Sequence, residues 1–471
     1  MTARLDQSDP KMPLDVLILA AGLGTRMKSR VAKVLHKLSG RPLITHVSRT
    51  AAALDPGRVY VVVGHQASDV EAAVDNELGA GQAIFITQSE QRGTGDAVMA
   101  AHGQMVQADS TVLILSGDIP LVRAETLRAL VAQHAADAAA CTILTVRLEN
   151  PTGYGRVVRD NDGRFVKIVE QRDATDEERQ LREINAGIYC FDRRKLFAAL
   201  ARVQPTNSQS EYYLTDVPGI LRDDGEVVTI YQHQDAREVS GINTRAELAE
   251  FENLLRRRTI RGLMTEAGVT FIDPSHAYIS DEAQIGSDCV IHPDVHIEGK
   301  SVIGEGCEIF QGARIKDSRL GNRVTVKDHC VIIDSEIADD CAVGPFAHLR
   351  MNAHLEERAV VGNFVEVKKS RLGQRTKAMH LSYLGDATIG ENTNIGAGTV
   401  TCNYDGKHKH PTVIEDNVRI GSDTMLVAPV RVGSGSVTAA GSVVTEDVPP
   451  NTMVAGVPAK VKKKITRSSK S

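Results

Sequence analysis

Residues 279–315 read ISDEAQIGSDCVIHPDVHIEGKSVIGEGCEIFQGARI, and isoleucine returns at positions 279, 285, 291, 297, 303, 309 and 315 without a gap. If about a quarter of residues were Ile, Leu or Val, such a run would arise by chance on the order of once in ten thousand. Four residues after successive isoleucines stand Ala283, Cys289, Val295, Ser301, Cys307 and Ala313, small interior positions suited to tight corners. The beat resumes at Ile337, Val343 and Leu349, and again at Ile414, Ile420, Leu426 and Val432. This period predicts a parallel β-helix of hexapeptides, three of which make a triangular coil of about eighteen residues. Cys289 and Cys307 then read as packing groups rather than nucleophiles. Two polar seams break the beat, HLSYLGD around Leu381 to Asp386 and TCNYDGKHKHP around Cys402 to Pro411, and a purely structural solenoid needs neither. The closing KVKKKITRSSKS is basic and poor in apolar residues and reads as a mobile tail.

Upstream of the solenoid, Leu248, Phe251, Leu255, Ile260 and Leu263 recur at helical intervals, with Gly268 as a stop, so Arg245 to Thr265 reads as a connecting helix. Before it the grammar alternates. Val59–Val63, Ala83–Thr87 and Val112–Leu115 are short apolar runs that stop at small or polar residues, and helical patterns such as Ala124 to His134 follow them. Strands alternating with helices imply a mainly parallel sheet whose ligands gather at the carboxyl ends of the strands, where Gly22, Gln88 and Asp118 fall. The first strand, Val16 to Leu19, runs into LAAGLGTRMKSRVAKVLH (residues 19–36), two glycines followed by Arg26, Lys28 and Lys33. Glycine lets backbone approach a ligand, and the cations follow within reach of phosphate. The spacing fits neither the dinucleotide fingerprint nor the P-loop.

The chain has 471 residues, room for roughly three domains, with boundaries expected at 13–244, 245–268 and 269–471. A formal net charge of −5 argues against a general nucleic-acid binder, so phosphate affinity has to come from local clusters. No apolar stretch approaches a membrane span, and MTARLDQSDPKMP lacks the hydrophobic centre of a signal peptide, which predicts a cytoplasmic protein. Seven cysteines without a C-x-x-C pair give neither a disulfide framework nor zinc spacing.

Taken together, LAAGLGTRM, AKVLH, QRGTGDA, SGDIPL, NPTGYGR, EINAG and GINTR in the first half, with GPFAHLR, GNFVEVKK, HLSYLGD, NIGAGTVTCNYDG and GSDTMLVAPV in the second, closely resemble one bacterial family. Its members are both N-acetylglucosamine-1-phosphate uridyltransferases and glucosamine-1-phosphate N-acetyltransferases. The resemblance implies a Rossmann-like α/β nucleotidyltransferase domain followed by a left-handed parallel β-helix that assembles as a homotrimer. It implies Mg²⁺, UTP and acetyl-CoA, with small-molecule substrates only and neither nucleic acid nor membrane as partner. For uridylyl transfer, it points to Arg26 and Lys33 as the cations on the triphosphate. Leu19, Ala20, Ala21, Gly22, Gln88, Gly93 and Thr94 match the nucleotide contacts. Gly155, Glu170, Asn185 and Asn243 match the sugar contacts, and Asp118 with Asn243 the metal ligands. For acetyl transfer, it points to His380 as the base, with Glu366 to orient it, and to Arg350, Lys368, Tyr383 and Asn394 around the amino-sugar phosphate. Ala397, Asn403, Tyr404, Ser422, Ala440 and Lys460 match acetyl-CoA contacts. Three positions depart from the pattern. Ala32 replaces a proline and Ser116 a tyrosine, and Val457 stands where some relatives carry a coenzyme-binding arginine that Lys460 is placed to replace. Two other readings use the same halves, a single-activity sugar nucleotidyltransferase and a non-enzymatic scaffold, but neither requires HLSYLGD together with TCNYDG.

Overall fold

The computed structural model describes residues 13–22, 24–105 and 109–465. The N-terminal stretch read for a signal peptide lies almost wholly outside them, as do residues 466–471 of the basic tail. The chain divides into two compact units between Glu252 and Asn253.

In the first unit, the main path of the sheet runs Val228–Gln232, Cys141–Arg147, Glu183–Asp192, Thr111–Ser116, Leu14–Leu19, Arg58–Val63, Ala83–Thr87. Only Glu183–Asp192 runs antiparallel to its neighbours on this path. The first strand is apolar at successive positions because both its faces are covered. Leu17 packs into one core cluster, and Val16 and Ile18 into the other, all fully buried. Leu14–Leu19 lies between Arg58–Val63 on one side and Thr111–Ser116 on the other, so the chain reverses direction across the sheet there. Such a switch point leaves a crevice beyond the strand ends.

The second unit is the parallel β-helix that the isoleucine beat predicts. Its three faces are sheets of twelve, ten and nine strands. The positions of the beat point inward, with Ile291, Ile297, Ile309 and Ile315 fully buried. Removing one such side chain to Ala costs about 2–5 kcal/mol. The small-residue track lies inside as well, where the Cys289 thiol donates to the Gly304 carbonyl at 3.0 Å and that of Cys307 to Gly321 at 3.1 Å. Ile279 pairs with Ile297 and Ile297 with Ile315, a step of 18 residues, but Ile315 pairs with Ile332 and Ile332 with Leu349, a step of 17.

The shorter step corrects one expectation. HLSYLGD is not an insertion but part of a regular coil, with Leu372 pairing with Ile389 seventeen residues on. Its residues end strand Lys377–His380, turn a corner and form strand Tyr383–Gly385. The second seam is an insertion, because Ile389 pairs with Ile414 twenty-five residues on. The extra residues form a loop closed by a bridge between Tyr404 and Lys409. The start of the basic tail is also ordered, since Ala459–Lys464 pairs antiparallel with Thr452–Gly456. A helix spans Arg245–Thr265, as the periodicity predicts. Among the described residues no helix is long and apolar enough to cross a membrane.

Candidate functional site

In the first unit, the residues singled out by sequence gather beyond the carboxyl ends of three parallel strands. Leu19 ends its strand, and the Gly117 amide donates to the Leu19 carbonyl at 2.9 Å, bringing the Asp118 turn beside Ala20 to Gly22. Lys33 is ion-paired with Asp118, and its Nζ lies 3.0 Å from Asn243 Oδ1. Arg26 donates to the same Asn243 oxygen at 2.7 Å. Two oxygen ligands thus converge on one cationic centre. Burial pushes the Asp118 carboxyl up, but the Lys33 charge and hydrogen bonds from Lys33 and Ser116 outweigh it and hold the group below the usual carboxylate range. The Ile242 amide donates to the Asp118 carbonyl at 3.0 Å, which ties the Asp118 turn to the loop that carries Asn243. Gly24 (φ +61°) matters because a Cβ there would meet Lys33 Cβ at 2.5 Å, so only glycine lets the lysine stem pass.

Gln88 is buried at the end of Ala83–Thr87, next to Gly93 and Thr94 at the start of a helix. Gly155, Glu170 and Asn185 form a second group. The Asn185 amide donates to the Gly155 carbonyl at 2.9 Å, and a Cβ on Gly155 would lie 3.4 Å from Glu170 Oε1. Asn185 Nδ2 donates to the Tyr189 hydroxyl at 2.6 Å. Burial raises the Glu170 pKa, against a lowering hydrogen bond from Thr215 Oγ1 at 3.2 Å.

In the second unit, five positions stack on successive coils at one corner. Val361, Ala378, Ile395 and Ile420 are in register on the first face, and Arg419 pairs with Val437 above them. Two residues beyond this core track, Asn363, His380, Ala397, Ser422 and Ala440 therefore form a column. Asn363 Oδ1 lies 2.6 Å from His380 Nδ1. Glu366, expected to orient the base, instead accepts from Arg350 at 2.7 Å. Because neighbouring coils pair side by side, residue 366 reaches back one coil to the second-face strand His348–Arg350. Asn363 lies within GNFVEVKK, and only the 17-residue register brings it beside His380.

Across the second face, at the far end of its strands, Lys368 is nearly fully buried and bonds Asp386 at 3.1 Å, and Asn403 Nδ2 reaches the same carboxylate at 2.5 Å. Lys409, which sequence reading missed, stands beside Lys368. The Lys368 charge beside it pulls the Lys409 pKa down. Two cations against one carboxylate leave a site short of negative charge. Lys409 also lines a groove of about 1110 Å³ with Lys369, Arg371 and His410. A Cβ on Gly385 would meet Tyr383 Cζ at 2.6 Å and Asn403 Nδ2 at 2.8 Å, so glycine leaves room for both side chains. Asn394, in register with Lys377, stands at the opposite end of the first-face strands from the His380 column. Tyr404 is exposed on the loop, with its hydroxyl on the Gly406 carbonyl at 2.7 Å. Lys460 lies on the terminal hairpin, 3.3 Å from Glu446.

Comparison with known proteins agrees with this division. The MobA-like NTP transferase domain matches residues 16–212, the GMPPB C-terminal domain residues 274–368, and the bacterial transferase hexapeptide (six repeats) residues 411–446. A protein from Heliobacterium modesticaldum named "Bifunctional protein GlmU" is 50% identical over 92% of this chain and 93% of its own length. Namesakes from Geobacillus sp. (strain WCH70) and Syntrophomonas wolfei are 48% and 46% identical, over 93% and 94% of this chain and 94% and 97% of their own. The chain therefore belongs to the GlmU family of bifunctional uridyltransferases and acetyltransferases, with a nucleotidyltransferase domain and a left-handed hexapeptide β-helix, which make UDP-N-acetylglucosamine from UTP, acetyl-CoA and an amino-sugar phosphate.

Proposed function

We propose that residues 13–244 carry uridylyl transfer, 245–268 the connection, and 269–471 acetyl transfer. The convergence of Asp118 and Asn243 on the Lys33 ammonium carries the first assignment, because two oxygen donors already face one cation. Mg²⁺ takes few protein oxygens and keeps room for substrate phosphates, so this pair fits it. Bound there, the ion would neutralise charge on the triphosphate. A phosphate oxygen of N-acetylglucosamine 1-phosphate attacks the α-phosphorus of UTP, and the bond to pyrophosphate breaks in line. Arg26 and Lys33 hold the triphosphate, while Leu19, Ala20, Ala21, Gly22, Gln88, Gly93 and Thr94 seat the nucleotide. Gly155, Glu170, Asn185 and Asn243 position the sugar. There is little covalent work for the protein, and positioning with charge neutralisation carries the rate.

In acetyl transfer, with the Asn363 oxygen accepting the Nδ1 proton, His380 keeps its Nε2 lone pair for the substrate amine. The amine attacks the thioester carbonyl as its proton passes to His380, and the C–S bond breaks to release the thiol, which takes the proton back. A backbone amide near Ala397 stabilises the oxyanion. Arg350, Lys368 and Lys409 bind the phosphate, with Tyr383 on the sugar and Asn394 brought to it from a second copy of the chain. Asn403, Tyr404, Ser422, Ala440 and Lys460 contact acetyl-CoA.

The same unit supports assembly. Phe346 and Phe364 stack at 5.2 Å on successive coils, 48% and 55% exposed, and Leu381 beside His380 is 62% exposed. An apolar ridge of this kind favours cover by a second copy, and we assign a homotrimer, working in the cytoplasm where UTP and acetyl-CoA are available. Assaying pyrophosphate release and thiol release on one purified sample tests the whole reading. It expects both, and the absence of either one overturns it.

A further inference from the structure

The stretch QRGTGDA supplies Gly93 and Thr94 to the nucleotide, but Asp96 is left without a task. Its carboxylate is divided between two donors. Oδ2 accepts from Gln88 Nε2 at 2.8 Å, and Oδ1 from Arg92 Nη2 at 3.0 Å. Gln88 Nε2 also reaches the Gly93 carbonyl at 3.2 Å. A carboxamide has a donating end and an accepting end, and its orientation is set by its partners. Both partners here can only accept, so turning the amide would set its oxygen against a carboxylate and a carbonyl at once. Gln88 is 7% exposed, and burial makes such a mismatch costly. Among the described residues nothing donates to Gln88 Oε1, and that oxygen is what the side chain has left to offer a ligand.

We propose that Asp96 is a positioning residue that sets the nucleobase specificity of uridylyl transfer, by holding the amide nitrogen of Gln88 so that only its carbonyl oxygen faces the base. The inference rests on the assignment of Gln88 to the nucleotide. An accepting oxygen matches the imide N3–H of uracil. Cytosine carries a lone pair at that nitrogen, and two acceptors would oppose each other.

Asp96→Asn is the sharp test. Arg92 can only donate, so it draws the oxygen of the introduced amide. The NH₂ group then faces Gln88 and favours the turned orientation. The ratio of kcat/KM for UTP to that for CTP should fall by roughly tenfold or more. Asp96→Ala, which leaves Gly93 as the one remaining partner, should give a smaller fall and serves if the first variant does not fold. A merely structural role would lower both nucleotides alike, so an unchanged ratio in the folded variants overturns the proposal. Gln88→Ala, run in parallel, separates the two layers. If it leaves the ratio unchanged, the assignment of Gln88 to the base fails and this inference with it. If it collapses the ratio while both Asp96 variants do not, only the role of Asp96 fails.

Discussion

The two units build sites by opposite means. In the nucleotidyltransferase unit, buried parallel strands deliver Leu19, Gln88 and Asp118 to one edge, and Lys33, Asn243 and Arg26 already meet there by direct hydrogen bonds. In the β-helix, residues are placed by register. The column from Asn363 to Ala440 occupies one corner, the Lys368 cluster lies at the far end of the next face, and Asn394 is at the opposite end of the first-face strands. A crevice fold concentrates functional groups within one chain, whereas a prism spreads them around its corners and leaves an apolar ridge exposed.

The largest effect that could break this comparison is expected at the ridge. Phe364→Asp puts a charge where apolar cover is needed, so sedimentation should show dissociated chains with acetyl transfer lost and uridylyl transfer kept. Persistence of a trimer with full acetyl transfer would remove the ridge from the account. On the other unit, Gly24→Ala should cost uridylyl turnover about 10²-fold, because displacing the Lys33 stem misplaces the charge on the triphosphate. Unchanged turnover would mean that the lysine has more freedom than the packing suggests. A smaller change is expected from Lys409→Ala, about tenfold in KM for glucosamine 1-phosphate with kcat little altered, read in acetyl-transfer kinetics.

The smallest effect concerns pH. Asp118 is depressed in the folded state, so its contribution to stability is full above the unfolded carboxylate value of about 3.9 and is lost as pH falls through the lower folded value. The gap in thermal stability between wild type and Asp118→Asn should therefore be constant at neutral pH and close only in acid below about pH 4. A gap that closes between pH 6 and 8 would contradict the depression.

Much of both architectures is legible in the sequence for physical reasons. A hexapeptide turn puts every sixth residue inside, so Ile279 to Ile315 announce the solenoid. Strands covered on both faces read as near-continuous apolar runs, such as Val16 to Leu19. Relations across coils are less legible. A 17-residue step shifts the beat by one position, which is why HLSYLGD passes for an insertion when it is a regular coil. The same shift hides the pairing of His380 with Asn363, while Glu366, expected from the resemblance to orient the base, is in register with His348. Lys409 escaped because its loop folds back on Lys368 through an insertion that has no period to read.

Asp118→Ala and His380→Ala, each assayed for both reactions, test the division of labour most directly. Asp118→Ala should abolish Mg²⁺-dependent UDP-N-acetylglucosamine formation and leave thiol release from acetyl-CoA nearly intact, while His380→Ala does the reverse. Loss of both activities in either folded variant, or retention of the targeted one, would contradict two separate sites with these residues at their centres.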